Sequence, residues 1–521
     1  MKKTISSRMG GRVARKAKRA AELPDDMKPV KHGQDGGGFK PLKKEDLPQI
    51  HESVIQVLEN IGMEKAIPSC IDACISVGCK FSENGRILFP RSVVEETLEK
   101  AARNITLYGQ IPEHDLLLSK QKVFFGTAGA AVHMLDPINR KFRESTSVDL
   151  FDIARLCDSL EHIHFFQRSI VLRDLDDVRE MDFNTCYASI SGTKKHVGTS
   201  FSFPENVEEA LRMFHIIAGS EEKWRERPFV SMSCCFVVPP MKFAEDASAC
   251  LETGVKGGIP VLLLSAGQAG ATSPASLARC VIQSVAEVLA GLVYVNAIKE
   301  GAPAIFGTWP FVSDLRTGAM SGGSGEQAIL MAACGQMAQY YKLPSGIAAG
   351  MTDSKIPDAQ SGYEKGYTVS LAGHSGANLI YESAGMHASL LGCCLESYVI
   401  DNDMLGAINR TVRGIEVNSE TLSIDPISEV CLSGPGHYLG HEQTLNRMQS
   451  DYLYPSVGDR ENINNWMDQG ATDIVQRARI KVKEILSTHF PNNWDKETDL
   501  ILRKNFPVKI PKNRMQLKVL K

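Results

Sequence analysis

Between residues 146 and 383 one pattern repeats: a stretch with helical periodicity, a few turn residues, then a short apolar run that breaks into glycine and polar residues. Helices are expected over 148–160, 176–191, 205–218, 245–256, 274–298, 324–341 and 358–374. The apolar runs between them are HIHFFQRSI at 162–170, KHVGTSF at 195–201, FVSMSCCFV at 229–237, IPVLLLSA at 259–266, AIFGTW at 304–309, PSGIAAG at 344–350 and ANLIYES at 377–383. Runs this short and apolar suit strands covered on both faces, and parallel strands joined by crossover helices repeat in this way. LSIDPISEVCL at 422–432 is the expected eighth strand, although Pro426 cannot donate to a ladder. The pattern predicts an α/β fold, a TIM (β/α)8 barrel. A doubly wound nucleotide-binding sheet would carry G-x-G-x-x-G between a strand and a helix, and no such motif stands there.

The flanks divide the rest of the chain. Residues 1–44 are read as a flexible basic N-terminal extension, with a loose Pro- and Gly-rich lead-in over 21–40 and ordered structure from about Leu47. Residues 45–145 form an accessory helical and small β region, in which ITLYG, HDLLL, KVFFG and VHMLD are expected to build an antiparallel sheet. Ala128-Gly129-Ala130-Ala131 is alternatively a close approach to the barrel mouth. The barrel occupies 146–432, and 433–521 form a C-terminal helical cap and tail that serves as a cap or a subunit contact.

Composition narrows the function classes. With 521 residues, a formal net charge of -3 and 23% charged residues, the chain lacks a broad basic footprint, so no nucleic-acid partner is expected. No apolar run of 18 residues is read, so no membrane span is expected. The basic start MKKTISSRMGGRVARKAKRA lacks the apolar core of a secretory signal. Thirteen cysteines, several inside apolar runs, read as buried thiols in a reducing compartment, which makes the cytoplasm the expected location. His162 and His164, and His437 and His441, have spacings that aim two rings one way, but neither pair completes a zinc motif and no metal is expected.

The strand ends carry aromatics and carboxylates. Phe203, Trp309, Phe311 and Tyr363 are candidate faces for a cation. Asp353, Asp358, Glu364 and Glu382 supply negative charge, or alternatively cap helices and pair with Lys355, Lys365 or Arg316. Gly322, Gly323 and Gly325 open a helix, either as an anion-binding turn or as a tight strand-to-helix connection. Arg316, His374 and His387 are candidates for a substrate carboxylate, each histidine being equally readable as a hydrogen-bonded structural residue. These choices suit a small cationic or zwitterionic ligand.

The stretches SGGSGEQAIL, MTDSKIPDAQSGYEKG, LAGHSGANLIYESAGM, YVIDNDMLG and GHYLGHEQTL occur in order, and over roughly 45–475 the chain resembles the trimethylamine methyltransferase family. That resemblance implies a TIM barrel whose enzymes pass a methyl group from a methylated amine to the cobalt of a separate corrinoid protein. The corrinoid (cobalamin) would then be carried by a cognate partner, with no tightly bound cofactor in this chain. Archaeal trimethylamine enzymes carry pyrrolysine at the barrel mouth. This sequence has none, and Ile356 stands in the DSKIP stretch. The resemblance is therefore to the non-pyrrolysine branch, glycine betaine methyltransferases among them, and implies a quaternary amine as methyl donor. On this reading Asp353, Glu382 and His387 are the catalytic candidates. Phe203, Trp309, Phe311, Arg316, Tyr363 and His374 bind substrate, and the Gly322–Gly325 turn faces the cofactor. The alternatives are trimethylamine, another N-methyl or sulfonium donor, and a non-catalytic betaine-binding protein. A homo-oligomer is expected from general frequency.

Overall fold

In the computed structural model, which describes residues 28, 31–491 and 493–516, eight short parallel strands form two arcs. One arc runs β2 (Phe166–Gln167), β3 (Val197–Thr199), β4 (Val230–Cys234), β5 (Val261–Ser265) and β6 (Ala304–Thr308), every neighbouring pair parallel. The other runs β7 (Gly346–Ala348), β8 (Leu379–Tyr381) and β1 (Lys122–Phe125). Single parallel bridges join Phe306 to Ser345 and Gly126 to Phe165, one at each seam between the arcs. The chain is thus a mixed α/β fold with parallel sheets, as the periodicity predicts.

All seven apolar runs contain a parallel strand, and the helices between them fall within a few residues of their expected limits. They are α4 (Ser147–Asp158), α5 (Val178–Gly192), α6 (Pro204–Ala218), α7 (Glu245–Lys256), α8 (Leu277–Ile298), α9 (Gly325–Tyr340) and α10 (Ala359–Ser375). Their starts are chemically marked. Thr146 and Asp149 form a reciprocal capping box on α4, and Asp177, Ser324 and Asp358 cap α5, α9 and α10. Ahead of the strands stand α1 (Asp46–Asn60), α2 (Pro68–Ser76) and α3 (Arg91–Lys100), and after them α11 (Leu395–Arg413).

Three expectations need correction. The run at 422–432 is no strand: Asp425–Ser428 is helical, with Pro426 in its first turn, where its missing N–H costs nothing, and the helix continues through Glu429–Ser433. The eighth parallel strand is instead β1, the KVFF run assigned to an antiparallel accessory sheet. Ordered structure also begins before Leu47, because Gln34–Asp35 pairs antiparallel with β1. The true antiparallel pairs of that region are Ile105–Leu107 with Leu116–Leu118, and His133–Asp136 with Lys141–Glu144. Residues 1–27 and 517–521, including most of the basic extension, lie outside the described residues.

Helix α8 is apolar and long enough to cross a membrane by composition, which the sequence reading did not register, but 78% of its most apolar window is buried. It packs against α1, α2, α3, β5 and β6. Its Glu287 accepts hydrogen bonds from Met241 N (2.8 Å) and Ser265 Oγ (2.5 Å). All thirteen cysteines are unpaired thiols. In the C-terminal segment, α12 (Ile474–Thr488) packs on α11 and α4, where Arg479 bridges Asp136 (2.7 Å) and Glu396 (2.6 Å).

Candidate active site

A cavity of about 360 Å³ opens at the carboxyl ends of the strands. Most of its walls are residues at or near which a strand stops, and Ala247 and Cys250 of α7 with Leu390 complete it. Gln167 and Arg168 end β2, Ser200 and Phe201 follow β3, and Cys234 and Cys235 end β4. Ala266 follows β5, Trp309 and Phe311 follow β6, Glu382 follows β8, and Ala128–Ala130 lie beyond β1. Gly129 (φ +143°) is needed there, since a Cβ would meet the Met386 side chain at 2.7 Å and Ser169 O at 2.9 Å. Ala130 and Cys235 are exposed, so the cavity reaches solvent. A larger cavity, about 790 Å³, lies at the opposite ends of the strands, between Lys120, Lys342, Pro344 and Asn378. Parallel α/β folds place chemistry at the carboxyl ends, so position outweighs size here.

The aromatic wall is fixed by its neighbours. Trp309 is 5% exposed, and its Nε1 donates to Gly346 O at 3.0 Å. Its ring centroid lies 5.3 Å from that of Tyr381 and 6.4 Å from that of Phe311. Gly346 makes this possible, because a Cβ there would stand 2.7 Å from the Tyr381 ring. With the indole N–H already bonded, what the ring offers a ligand is its π surface.

The four strand-end carboxylates separate sharply. Asp353 accepts from Ser321 Oγ (2.6 Å), Gly322 N (2.7 Å) and Ser389 Oγ (2.6 Å). Glu364 accepts from Thr352 Oγ1 (2.5 Å), Asp353 N (2.8 Å) and Gln360 Nε2 (2.8 Å). Asp358 caps α10 through Ser361 N at 3.0 Å. Glu382 differs from all three: it is 2% exposed, its Oε2 has no hydrogen-bond partner, and burial pushes its carboxyl up to about 8. Its backbone is left-handed (φ 61°), which costs a non-glycine residue roughly 1 kcal/mol or more. A buried, unpaired carboxylate on a strained backbone is costly for folding alone, and such features concentrate where a ligand supplies the missing partner.

The structure brings Trp309, Phe311 and Glu382 together and leaves the other sequence candidates elsewhere. Asp353, Arg316 and Gly323 line a separate depression of about 500 Å³, with Gly322 and Gly325 on the same turn. The Gly322 N–H is occupied by Asp353, and Gly323 packs so closely on Glu364 that a Cβ would meet its carboxylate at 2.4 Å. The Arg316 side chain is 88% exposed and pairs with Asp314 at 2.7 Å. Phe203, the N-cap of α6, and Tyr363, in the N-terminal part of α10, are 44% and 60% exposed and do not line the cavity. His387 is fully buried, shares a 2.6 Å hydrogen bond with Ser397 Oγ, and is held neutral by burial. His374 is in the last turn of α10, bonded to Thr411 Oγ1 at 3.0 Å. A 17-residue helix is about 25 Å long, which puts His374 at the far end of α10 from its Asp358 cap. His164 Nδ1 accepts from Phe125 N at 2.9 Å, so that ring is committed to the backbone. Among the described residues, no group of three or more His, Cys, Asp and Glu side chains is placed to hold a metal ion.

Sequence reasoning missed Gln167, Arg168, Cys234 and Cys235 as cavity residues, while Phe201, an aromatic at the end of its strand, does line the cavity. Their signal was position, as the first residues beyond the apolar core of each strand.

The sequence pattern of the family described as trimethylamine methyltransferase (MTTB) matches residues 8–509. The chain belongs to that family. It is 31% identical to the trimethylamine methyltransferase MttB of Desulfitobacterium hafniense (strain DSM 10664 / DCB-2), over 90% of this chain and 94% of that one. It is 32% identical to the enzyme of the same name from Methanosarcina thermophila, over 85% of this chain and 92% of that one. To the glycine betaine methyltransferase of Desulfitobacterium hafniense (strain Y51) it is 29% identical, over 89% of this chain and 95% of that one. Family membership agrees with the resemblance drawn from the motifs. The identities do not single out the glycine betaine branch.

Proposed function

We propose that this chain transfers a methyl group from a methylated amine to the Co(I) of a corrinoid carried by a separate protein. The observation that carries the reading is Glu382, the one strand-end carboxylate of the four with an unpaired, buried oxygen, set in a cavity walled by Trp309 and Phe311. Family membership supplies the reaction class. The bridges at both seams support reading the two arcs as one closed eight-stranded barrel, extending from residue 122 through α11, with the cavity at its top. Exposed Phe203, Leu315 and Tyr363 give that face an apolar rim for the corrinoid partner. Ile415, Val417, Leu432, Leu439 and Ile463 are all strongly exposed, and we assign this C-terminal stretch of the chain to self-association. The free thiols fit a cytoplasmic setting.

The residues act by holding and discharging a cation. Ionised Glu382 balances the ammonium, and the Trp309 and Phe311 rings present π density to its methyl groups. The aromatic wall excludes water from the C–N bond and fixes one methyl toward the open side. As that methyl passes in line to Co(I), the electron pair of the C–N bond returns to nitrogen. A quaternary donor leaves as a neutral tertiary amine without a proton. A tertiary donor such as trimethylamine needs a proton on the departing nitrogen, which the carboxyl of Glu382, poised at about 8, can hold.

The test presents trimethylamine, tetramethylammonium, choline and glycine betaine to the chain with a reduced corrinoid protein, following methyl-cobalt by absorbance. Methylation from at least one donor, with loss of one methyl per cobalt, is the expected result. No methylation with any donor and a competent corrinoid partner rejects the reading. Within it, Trp309→Ala is expected to lower turnover roughly tenfold or more through loss of the cation–π face. Unchanged turnover in a folded variant removes Trp309 from the site.

A further inference from the structure

Three cysteines line the cavity at the carboxyl ends of the strands, and their sulfurs are placed differently. Cys234 donates to Ala247 O at 3.1 Å and Cys250 to Phe201 O at 3.8 Å. Both are buried, and burial raises both thiols, that of Cys250 to about 12. Cys235, the residue directly after β4, is exposed, and among the described residues its sulfur has no hydrogen bond. Two charged groups stand within electrostatic reach of it. Arg168, directly after β2, is fixed on the cavity wall by its backbone N–H to Gly198 O (3.0 Å) and its Nε to Ser200 Oγ (2.9 Å). Among the described residues its two terminal nitrogens have no hydrogen bond and no ion pair, and nearby Asp182 spends its oxygens on Ser202 and Asn206. Glu382, directly after β8, brings a buried oxygen with no partner to the same cavity, a second sign that something enters here. Set inside the mouth, the Cys235 thiol is raised by desolvation, drawn down by Arg168 and pushed up by Glu382.

We propose that Cys235 is a thiol–disulfide exchange site whose occupation closes the mouth of the cavity. The Cys235 thiolate attacks one sulfur of a small organic disulfide. A new S–S bond joins that half to the protein, the old S–S bond breaks, and the other half leaves as a thiolate. Excess small thiol reverses the exchange, so the modification acts as a switch. The guanidinium of Arg168 favours the attacking thiolate and an ionised Glu382 opposes it, which ties the reactivity of the sulfur to the charge state of the site. An organic thiol held at Cys235 occupies much of a cavity of about 360 Å³ and stands between a bound donor and the open side. Small disulfides accumulate as a compartment loses reducing power, the condition under which Co(I) is also lost, so the switch shuts the site when no methyl acceptor is available. The closure rests on the proposed methyl transfer at this cavity; the exchange itself does not.

Dipyridyl disulfide added to the full chain releases a thiopyridone for each thiol it modifies, and mass spectrometry of the peptides locates every modified cysteine. Cys235 and Cys431, the two exposed cysteines, are expected to react, Cys235 at least about tenfold faster than any buried thiol. The surrounding charges add a signature that exposure alone does not. Measured against Cys431 in the same sample, Arg168→Met is expected to slow Cys235 about fivefold or more. Glu382→Gln is expected to speed it by about the same factor at pH 9 and to leave it unchanged at pH 6, where Glu382 is protonated. Thermal unfolding confirms that each variant is folded. Methyl-cobalt formation is expected to fall at least about tenfold as Cys235 is modified and to return with excess dithiothreitol. In Cys235→Ser the reagent is expected to leave turnover at that variant's own untreated rate. A Cys235 no more reactive than the buried thiols, or a rate that neither charge substitution moves, overturns the exchange site. Full modification of Cys235 with turnover retained overturns the closure. Absence of methyl-cobalt from the untreated chain with every donor would count against methyl transfer and leave the labelling result to decide the exchange site.

Discussion

Replacing Glu382 with Gln is expected to weaken binding of the methylated ammonium donor by about a thousandfold at pH 9. The estimate comes from the coulombic attraction between unit charges about 4 Å apart at an effective dielectric near 20, roughly 4 kcal/mol. The effect on kcat/KM should be smaller, about thirtyfold or more, because nitrogen has lost part of its charge in the transition state and the carboxylate stabilises the ground state more. Two pH signatures accompany the loss. Burial raises the Glu382 carboxyl to about 8, so at neutral pH the free protein holds it mostly protonated and must release that proton to bind a quaternary cation. Wild-type affinity should therefore rise about tenfold per pH unit up to 8 and level off above it, with up to one proton released per ligand bound below pH 8, while Glu382→Gln is flat. Stability moves the other way. Between the ordinary value of 4.5 and about 8 the folded state keeps a proton the unfolded chain gives up, so wild-type stability falls as pH rises through that window. Glu382→Gln removes that slope and should gain on the order of a few kcal/mol relative to wild type above pH 8. Cation binding that is unchanged in the variant would dissociate Glu382 from the ligand.

That acid was legible in the sequence because ANLIYES carries it just past the last apolar position of a strand. Trp309 and Phe311 were legible for the same reason. Arg168 was not. The run HIHFFQRSI offers two histidines at strand spacing, which drew attention to its start, yet pairing covers only Phe166–Gln167 and the strand ends where the arginine begins. Strand ends are set by backbone pairing with neighbours, which one strand's residues do not reveal.

The misplaced eighth strand has a similar cause. A hairpin, His133–Asp136 with Lys141–Glu144, is inserted between β1 and its helix α4, so KVFF lost the strand-then-helix rhythm by which the other seven were found. Pro426 carried the contrary signal at 422–432, since a proline following Asp425 marks a helix start as readily as it blocks a strand. Of the carboxylates, Asp353, Asp358 and Glu364 looked as promising as Glu382. Partners on Ser321, Thr352, Ser354, Ser361 and Ser389 consume them, and those partners come from turns up to 36 residues away.

Lys365→Met is expected to destabilise the fold by about 3–5 kcal/mol, read as a shift of the urea midpoint at constant slope. Lys365 on α10 and Asp401 on α11 meet at 2.7 Å, with side chains 2% and 5% exposed. Asp401 also accepts the Gly385 N–H at 2.8 Å, so the pair ties two helices to the loop that begins at Glu382. Burial is the main influence on the Asp401 carboxyl and raises it, with Lys365 opposing. Removing the lysine leaves a buried carboxylate without its counter-charge, and the cheapest response is to take up a proton. The folded-state pKa of Asp401 then rises further above its unfolded value of 3.8, so the folded variant binds a proton the unfolded chain lacks, and its stability falls as pH rises through that interval. The deficit relative to wild type should accordingly be largest above neutral pH and shrink toward pH 5. Because Gly385 is held by the same carboxylate, the variant should also bind the methylated donor less tightly without touching it, and Lys365→Met combined with Asp401→Asn should recover part of the stability by removing the orphaned charge. A pH-independent deficit under 1 kcal/mol would mean that the pair is dispensable and that the strained backbone at Glu382 is held by other contacts.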